Sequence, residues 1–216
     1  MKSVAVLHTV PVTIPVIKEL VQKYLPGYGV MNFLDDSILP MLAADPGRMD
    51  YVMEKLTTYC TFAQQQGAVA VISACSSIGE VTEKAKGKVD IPVMRIDEAM
   101  MNRAAALGKP LVLCATLATT LGPSSRLLER KAEGRASIET LLISEAPALM
   151  ASEGKEAHDR CIARALLPYL DKGYTAVLCQ ASMAAAAAYL PEEYQQLLLT
   201  SPEMGMQFFA EQVMAL

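Results

Sequence analysis

Residues 67–80 read GAVAVISACSSIGE, and this stretch decides the fold class. Gly67 ends a helical pattern, and the seven residues after it form an apolar run that only Ser73 interrupts. Such a run is typical of a strand that is buried on both faces of a parallel sheet. Ser77 and Glu80 then have the spacing of a capping box, which predicts that a new helix begins directly after this strand.

Segments of the two kinds alternate along the rest of the chain. The predicted strands span residues 4–7, 28–34, 68–74, 111–114, 138–143 and 175–179. The predicted helices span residues 11–25, 46–66, 97–107, 124–132 and 155–170. Strands that alternate with helices of this length indicate an α/β fold with parallel sheets and right-handed crossovers.

The sequence also contains an internal repeat. Residues 4–13, VAVLHTVPVT, align with residues 111–120, LVLCATLATT, and the run that enters Cys75 aligns with the run that enters Gln180. Two matches in the same order predict a pseudo-duplicated pair of similar Rossmann-like lobes with the active site in the cleft between them. We expect residues 1–94 with 191–216 in the first lobe and residues 95–190 in the second.

Composition excludes several classes of protein. Of the 216 residues 52% are hydrophobic and 19% are charged, which excludes intrinsic disorder. The net charge of −4 and the lack of a basic run argue against nucleic acid or a membrane surface as a partner. The longest near-apolar stretch, residues 176–190, is shorter than the roughly 18 residues of a membrane span. Without a recognisable signal peptide, the sequence predicts a cytoplasmic protein.

Metal and cofactor sites are poorly supplied. The five cysteines include no C-x-x-C pair, and there are two histidines, so neither a disulfide framework nor a structural metal site is expected. No G-x-G-x-x-G motif follows a strand, which argues against a flavin or nicotinamide cofactor. We therefore expect no cofactor and no metal, and any role of cysteine would be that of a thiol.

Cys75 is the strongest candidate for a catalytic thiol. It follows a buried strand, and ligands of parallel α/β sheets bind beyond the carboxyl ends of the strands. The positive end of the predicted helix should lower the thiol pKa, which would make the thiolate available as a base or nucleophile. The alternative is a small buried apolar residue. We expect Cys60, Cys114 and Cys161 in the core and His158 in a surface or capping role, while His8 lies at a strand end.

Five segments together resemble one family. They are VAVLHT at 4–9, ISACSSIGE at 72–80, RIDEAM at 95–100, GKPLVLCATLATT at 108–120 and VLCQASMA at 177–184. In order and spacing they resemble the aspartate/glutamate/hydantoin racemase superfamily of cofactor-independent isomerases, over nearly the full length. The resemblance implies two α/β lobes that each contribute one cysteine. One thiolate removes the proton α to a carboxylate, and the other thiol returns a proton from the opposite face.

Carried over residue by residue, the resemblance assigns Cys75 to the first cysteine. Aligning Leu178 and Met183 with the family pattern assigns Gln180 to the second cysteine, and Cys179 would then point to the other side of its strand. Gln180 cannot exchange a proton but can donate a hydrogen bond to an enolate or carboxylate oxygen. The residues expected to hold the substrate are the hydroxyls Thr9, Ser76, Ser77, Thr116, Thr119, Thr120 and Ser182.

Three hypotheses follow from these residues. The first is a racemase-like isomerase of a small carboxylic or amino acid, which needs a second acid/base such as Cys179 or His8. The second is a one-cysteine relative, decarboxylase-like, lyase-like or covalent, in which Gln180 donates a hydrogen bond. The third is a non-catalytic protein that binds a small carboxylate. In each case the expected partner is a small-molecule carboxylate, and a homo-oligomer is expected.

Overall fold

The computed structural model describes residues 2–216. The chain divides into two compact units, Met1–Glu98 with Pro202–Leu216 and Ala99–Ser201. The domain limits drawn from the sequence, residues 1–94 with 191–216 and residues 95–190, stay a prediction.

The first unit is a four-stranded parallel sheet with helices. Its elements are β1 (Ser3–His8), α1 (Thr13–Tyr24), β2 (Gly29–Leu34), α2 (Ile38–Ala44), α3 (Met49–Gln65), β3 (Ala68–Ser73), α4 (Gly79–Ala85) and β4 (Val93–Arg95). The strand order is β2-β1-β3-β4. Each strand ends at the same edge of the sheet, because all four run in one direction. We call this the carboxyl edge of the sheet.

The second unit repeats this arrangement. Its elements are α5 (Glu98–Ala106), β5 (Leu111–Ala115), α6 (Ala118–Ala132), β6 (Ile138–Leu142), α7 (Ala146–Ser152), α8 (Lys155–Leu170), β7 (Thr175–Leu178), α9 (Glu192–Gln195) and β8 (Leu198–Thr200). The strand order is β6-β5-β7-β8, again fully parallel. The last helix, α10 (Ser201–Met214), lies almost wholly in the first unit.

The repeat holds at the level of single hydrogen bonds. In the first unit the Ala74 N–H donates to the Leu7 carbonyl at 2.9 Å. In the second, the Cys179 N–H donates to the Cys114 carbonyl, also at 2.9 Å. These pairs are equivalent positions of the internal alignment, so Cys75 and Gln180, one residue further on, are equivalent as well. The α/β fold with two similar lobes is confirmed.

Alternation along the central strands builds the core of the first unit. Ala5 and Leu7 of β1 belong to one buried cluster, whereas Val4 and Val6 belong to the cluster on the opposite face of the sheet. The second cluster includes Met206, Phe209, Ala210 and Val213 of α10. Burying one such large apolar side chain contributes roughly 1.5–3 kcal/mol. α10 is therefore a structural part of the first unit.

Two local predictions were wrong. The helical turn after β3 begins as a 3-10 helix, Ser76–Ile78, with Cys75 rather than Ser77 as the preceding extended residue. α6 begins at Ala118, six residues before the predicted start, and contains Pro123. Pro123 is the sixth residue of α6, where it lacks the N–H that would donate to the preceding turn.

Among residues 2–216, no helix combines the length and the apolar composition that a membrane span requires.

Candidate active site

Cys75 lies at the carboxyl edge of the first sheet, two residues beyond the end of β3. Its backbone is extended, with φ −133° and ψ 112°, and the 3-10 helix Ser76–Ile78 follows directly. β1 ends at His8, so Thr9 follows the neighbouring strand at the same edge. The side chains of Thr9, Cys75, Ser76 and Ser77 are all buried.

The pKa of Cys75 differs from the sequence prediction, which was a lowered value. Burial raises the pKa of the Cys75 thiol. The Thr9 hydroxyl, the backbone N–H groups of Ile78 and Ser77 and the Ser77 hydroxyl act in the opposite direction but do not reverse the effect. The prediction was wrong because loss of solvation outweighs the helix-end effect. The thiol is therefore protonated near neutral pH, with donors beside it that favour the thiolate once it forms.

Thr9 is the other notable group at this edge. Its Oγ1 is buried, and no partner in the described residues meets hydrogen-bond geometry with it, although it is close enough to Cys75 to affect the thiol pKa. Buried polar atoms nearly always have a partner. An oxygen or nitrogen of a ligand beside Cys75 would supply one.

His8 has both ring nitrogens engaged. Nδ1 lies 2.7 Å from Thr13 Oγ1, and Nε2 lies 3.1 Å from Asn32 Oδ1. Asn32 Oδ1 can only accept, so His8 Nε2 donates to it, and in the neutral imidazole Nδ1 accepts from the Thr13 hydroxyl, which also lies 3.0 Å from the Val10 carbonyl. Burial lowers the pKa of His8, although the Asn32 bond opposes this. His8 therefore holds the loop after β1 as a neutral imidazole.

Gln180 occupies the equivalent position in the second unit. It is extended, with φ −121° and ψ 137°, and the 3-10 helix Ala181–Tyr189 follows it. Its Oε1 accepts hydrogen bonds from the Thr116 N–H at 2.6 Å and the Thr116 hydroxyl at 3.0 Å. A backbone N–H can only donate, so the amide oxygen must face Thr116 and the NH₂ group must point away from it. Within residues 2–216 this NH₂ group has no hydrogen-bond partner. Gln180 therefore presents two free donors.

The other hydroxyls predicted for the second unit surround the starts of two helical segments. Thr119 and Thr120 lie in the first turn of α6, where backbone N–H groups lack intrahelical partners. Thr120 is buried, whereas Thr119 and Ser182 are half-buried. Neither Thr119 nor Ser182 makes a side-chain hydrogen bond to the described residues. The structure thus joins Thr116 directly to Gln180 but leaves these two hydroxyls unattached to it.

The remaining cysteines belong to the core. Cys60, Cys114, Cys161 and Cys179 are all buried. Burial raises the pKa of Cys60 to about 11 and raises the pKa of Cys114 well above its usual value. Cys179 Sγ lies 3.8 Å from the Val177 carbonyl of its own strand, as a weak donor. The core prediction for Cys60, Cys114 and Cys161 is confirmed.

The surface or capping role predicted for His158 is wrong. His158 is buried, and its Nδ1 lies 2.8 Å from Asp159 Oδ1. Lys155 also bonds Asp159, at 2.5 Å. The charged neighbours in the sequence suggested a solvated helix face. His158 nevertheless lies three residues before Cys161, which places both on the apolar face of α8.

Two charged groups at the carboxyl edge of the first sheet were not identified from the sequence. Asp35, directly after β2, bonds Lys55 at 2.8 Å and Tyr59 at 2.7 Å. Burial alone would raise the pKa of Asp35, but the bonds from Lys55, Ser37 and Tyr59 lower it to about 2. Arg95, at the end of β4, is the second group. An arginine within an apolar strand is a signal that could have identified it, since such a residue needs a buried partner.

The described residues bring together no cluster of three or more metal-ligating side chains.

A family model described as Asp/Glu/Hydantoin racemase matches residues 9–208. No curated protein sequence matches the chain significantly.

Several solved structures share the fold. A glutamate racemase isoform from Bacillus anthracis is similar with a TM-score of 0.75 and 15% identity, over 99% of this chain and 82% of that one. The allantoin racemase from Klebsiella pneumoniae gives a TM-score of 0.68 and 18% identity, over 100% of this chain and 88% of that one. An unliganded arylmalonate decarboxylase gives a TM-score of 0.61 and 16% identity, over 99% of this chain and 92% of that one.

Identities this low show the fold alone, whereas the family model spans most of the chain. Three of the described features agree with it: the two parallel sheets, their equivalent strand orders, and the equivalent edge positions of Cys75 and Gln180. The chain therefore belongs to the Asp/Glu/hydantoin racemase family.

Proposed function

We propose that this protein is a cofactor-independent, racemase-like isomerase that transfers a proton at the α-carbon of a small carboxylic or amino acid. The observation that carries the proposal is the setting of Cys75. It is a thiol at the carboxyl edge of a parallel sheet, beside two backbone N–H groups and two hydroxyls. This is a polar setting for a thiol that also packs in the hydrophobic cluster of the first unit.

The proposed chemistry begins when the Cys75 thiol gives its proton to bulk water and becomes a thiolate. The N–H groups of Ser77 and Ile78 stabilise the thiolate, which takes the α-proton of the substrate and becomes a thiol again. The electron pair of the C–H bond moves onto the carboxyl group as an enediolate. Negative charge develops on the enediolate oxygens. The hydroxyls of Thr9, Ser76 and Ser77 are suited to donate hydrogen bonds to these oxygens.

In the second unit, Gln180 is the proposed electrophilic partner. Its oxygen is held by Thr116, so its NH₂ group can donate only to an acceptor such as a carboxylate or enediolate oxygen. Thr116, Thr119, Thr120 and Ser182 are the further carboxylate contacts we propose. Gln180 has no proton to exchange near neutral pH, and it stands where the repeat would require the second acid/base.

The lack of an exchangeable proton on Gln180 favours a second candidate function. An enzyme with one thiol can protonate or deprotonate a carbanion on one face, as in a decarboxylase- or lyase-like reaction, or attack an unsaturated or acyl substrate covalently. Racemisation with one thiol would require the substrate to present both faces to Cys75. A protein that only binds a small carboxylate is the third alternative.

Exchange of the α-proton in deuterated water, followed by NMR, tests the proposal. The panel contains D- and L-amino acids, hydantoins, hydroxy acids and dicarboxylic acids including substituted malonates. Cys75→Ala is measured beside the native protein, and Cys161→Ala serves as the control for loss of a buried thiol elsewhere.

The stereochemical outcome separates the candidates. Exchange with inversion that requires Cys75 supports the isomerase. Exchange with retention, or decarboxylation with deuterium incorporated on one face, supports the one-thiol enzyme. If Cys75→Ala keeps the full rate on an active substrate, both enzymatic proposals fail. Carboxylate binding that survives in Cys75→Ala, with no turnover by the native protein, supports the binding protein.

We also propose a homo-oligomer in a cytoplasmic setting, with a small carboxylate as the ligand. The 52% hydrophobic content supports the association of copies. Light scattering coupled to gel filtration measures the oligomeric state, and a mass equal to one 23.3 kDa chain would contradict it.

A further inference from the structure

Among residues 2–216, Arg95 has the largest fully buried side chain. The proposed chemistry does not use it. Its guanidinium donates to both carboxylate oxygens of Asp97, from Nε at 2.6 Å and from Nη2 at 2.8 Å. Nη1 donates to Glu83 Oε1 of α4 at 3.2 Å. One side chain thus connects the end of β4, the residue two places after it and the middle of α4.

Gly79, the first residue of α4, rests against this guanidinium. A Cβ atom at Gly79 would lie 2.3 Å from Arg95 Cζ and 2.3 Å from Nη2, closer than any real contact. The φ of Gly79 is −60°, an ordinary helical value. Glycine is therefore required here by the close approach of the guanidinium and not by an unusual backbone conformation.

The backbone of Arg95 pairs with the other end of the same segment. Its backbone pairs with Ser73 in the register of β3 and β4, and the Ile96 N–H donates to the Ser73 carbonyl at 3.0 Å. Ser73 lies two residues before Cys75, and Gly79 lies four residues after it. Arg95 therefore contacts both ends of the short segment that carries Cys75 and the N–H groups of Ser77 and Ile78.

A buried ion pair is a poor means of stabilising a fold, because desolvation offsets most of the attraction between the charges. Burial by itself lowers the pKa of Arg95, but the bond and charge of Asp97, with those of Glu83, raise it overall. The cation is therefore retained, and its planar fork holds two partners in one rigid geometry.

We infer that Arg95, held by Asp97, is a positioning residue that fixes the backbone around Cys75 so that the N–H groups of Ser77 and Ile78 face the sulfur. Its catalytic importance rests on the proposed function. The effect of Arg95 on the pKa of the Cys75 thiol does not rest on the proposed function, because it requires no substrate.

The pH dependence of Cys75 alkylation tests this inference. Iodoacetamide is reacted with the intact protein across a pH series, and modification of the Cys75 peptide is followed by mass spectrometry. The midpoint of the rate against pH reports the thiol pKa, whereas the plateau rate reports access. Thermal unfolding of each variant is measured separately.

Three variants distinguish positioning from charge and from stability. Arg95→Lys keeps the charge but loses the fork. Gly79→Ala keeps every charged group and displaces the start of α4. The double substitution Arg95→Met with Asp97→Leu replaces the ion pair with apolar side chains, which need not lower stability. Lys86→Met is the control, because Lys86 lies just beyond α4 and pairs with Glu98 at 3.3 Å.

We expect the midpoint to rise by about one pH unit in all three variants, which is about a tenfold lower rate below the midpoint. Lys86→Met should leave the midpoint unchanged. An unchanged midpoint in folded Arg95→Lys and Gly79→Ala would overturn the inference and make Arg95 a structural residue only. If Gly79→Ala does not fold, Arg95→Lys decides alone.

Failure of the proposed function gives a different result. A native protein without turnover on any substrate, together with raised midpoints, would refute the proposed function and keep the positioning role. Turnover that depends on Cys75, together with unchanged midpoints, would refute the positioning role alone.

Discussion

The carboxyl edges of the two sheets have the same backbone and different chemistry. Cys75 and Gln180 are both extended residues, each two places beyond the third strand in its unit, and each precedes a 3-10 helix. Thr9 and Thr116 occupy equivalent positions after the central strands. In the second unit the threonine and the amide are joined by two hydrogen bonds, whereas Thr9 Oγ1 has no partner of normal geometry among residues 2–216.

This difference shows that equivalent positions of a duplicated fold can carry side chains of different chemistry. The first unit holds a thiol, Cys75, and a hydroxyl, Thr9 Oγ1, that has no partner of normal hydrogen-bond geometry among the described residues. The second unit holds the Gln180 amide, whose oxygen already accepts two hydrogen bonds from Thr116 and whose NH₂ group points away from Thr116. The equivalent strands fix where these residues lie, and the side chains alone decide whether the position carries a thiol or an amide.

The largest expected effect separates Cys75 from Cys179, the thiol adjacent to Gln180. Cys75→Ser should lower the rate of α-proton exchange by about 10²–10⁴-fold, the usual contribution of a general acid or base. Cys179→Ala should keep the rate within about twofold, because Cys179 is fully buried and bonds its own strand. Exchange rates measured by NMR on an active substrate test both. A loss of similar size in Cys179→Ala would make Cys179 the second acid/base.

The second prediction concerns the donor role of Gln180. Gln180→Glu keeps an oxygen that can accept from Thr116 but replaces the free NH₂ with a second acceptor. We expect a loss of about 10²–10³-fold in rate, as for removal of one oxyanion donor. Gln180→Ala is the matched variant, and it should lose a similar amount because it also lacks the donor. A Glu variant with the native rate would show that the free NH₂ is not used.

Acid should destabilise the first unit through Asp35. The folded-state pKa of Asp35 is about 2 against an ordinary 3.8. The ionised form is therefore stabilised by folding, and this contribution is present above pH 3.8 and lost as the pH falls through 2. It corresponds to about 2 kcal/mol. The equivalent position in the second unit is Ile143, which cannot titrate.

Urea unfolding at pH 6 and at pH 2.5 measures this effect. Asp35→Asn should lower the free energy of unfolding at pH 6 and lower it by clearly less at pH 2.5, where only part of the contribution remains. The neighbouring exposed residue offers the control Asp36→Asn, which should change neither value appreciably. An Asp35→Asn variant with the full native pH dependence would contradict the assignment.

The smallest effect compares the two threonines directly. Thr116→Val removes the hydroxyl bond to Gln180 and should lower the free energy of unfolding by about 1 kcal/mol. Thr9→Val removes a buried hydroxyl that has no partner of normal geometry, so stability should stay constant or rise. Denaturant unfolding of the two variants is the measurement. A larger loss in Thr9→Val would mean that Thr9 is already satisfied in the free protein.

The fold and much of the candidate site could be predicted from local pattern. The apolar run after Gly67 indicated a doubly buried strand, which is β3 (Ala68–Ser73). The internal repeat paired Cys75 with Gln180, and the equivalent hydrogen bonds of Ala74 and Cys179 agree with that pairing. Period and repetition are properties of neighbouring residues along the chain, so they can be read without coordinates.

Short elements and non-local contacts could not be predicted in this way. β4 (Val93–Arg95) and β8 (Leu198–Thr200) have three residues each, too few to show a period. The bonds of Asp35 to Lys55 and of Arg95 to Glu83 join residues 20 and 12 positions apart. Such pairs follow from how helices pack on the sheet, which no local pattern specifies.

By itself, the sequence determined the α/β class, the duplication and the position of Cys75 after its strand, because these depend on apolar periodicity and on residue identity. Only the tertiary structure decided the state of that thiol. Burial raises the pKa of Cys75 against the donors around it, a balance that depends on how much water the packed side chains exclude. The close contact of Arg95 with Gly79, and the direction in which Gln180 presents its amide, likewise exist only once distant strands and helices have packed together.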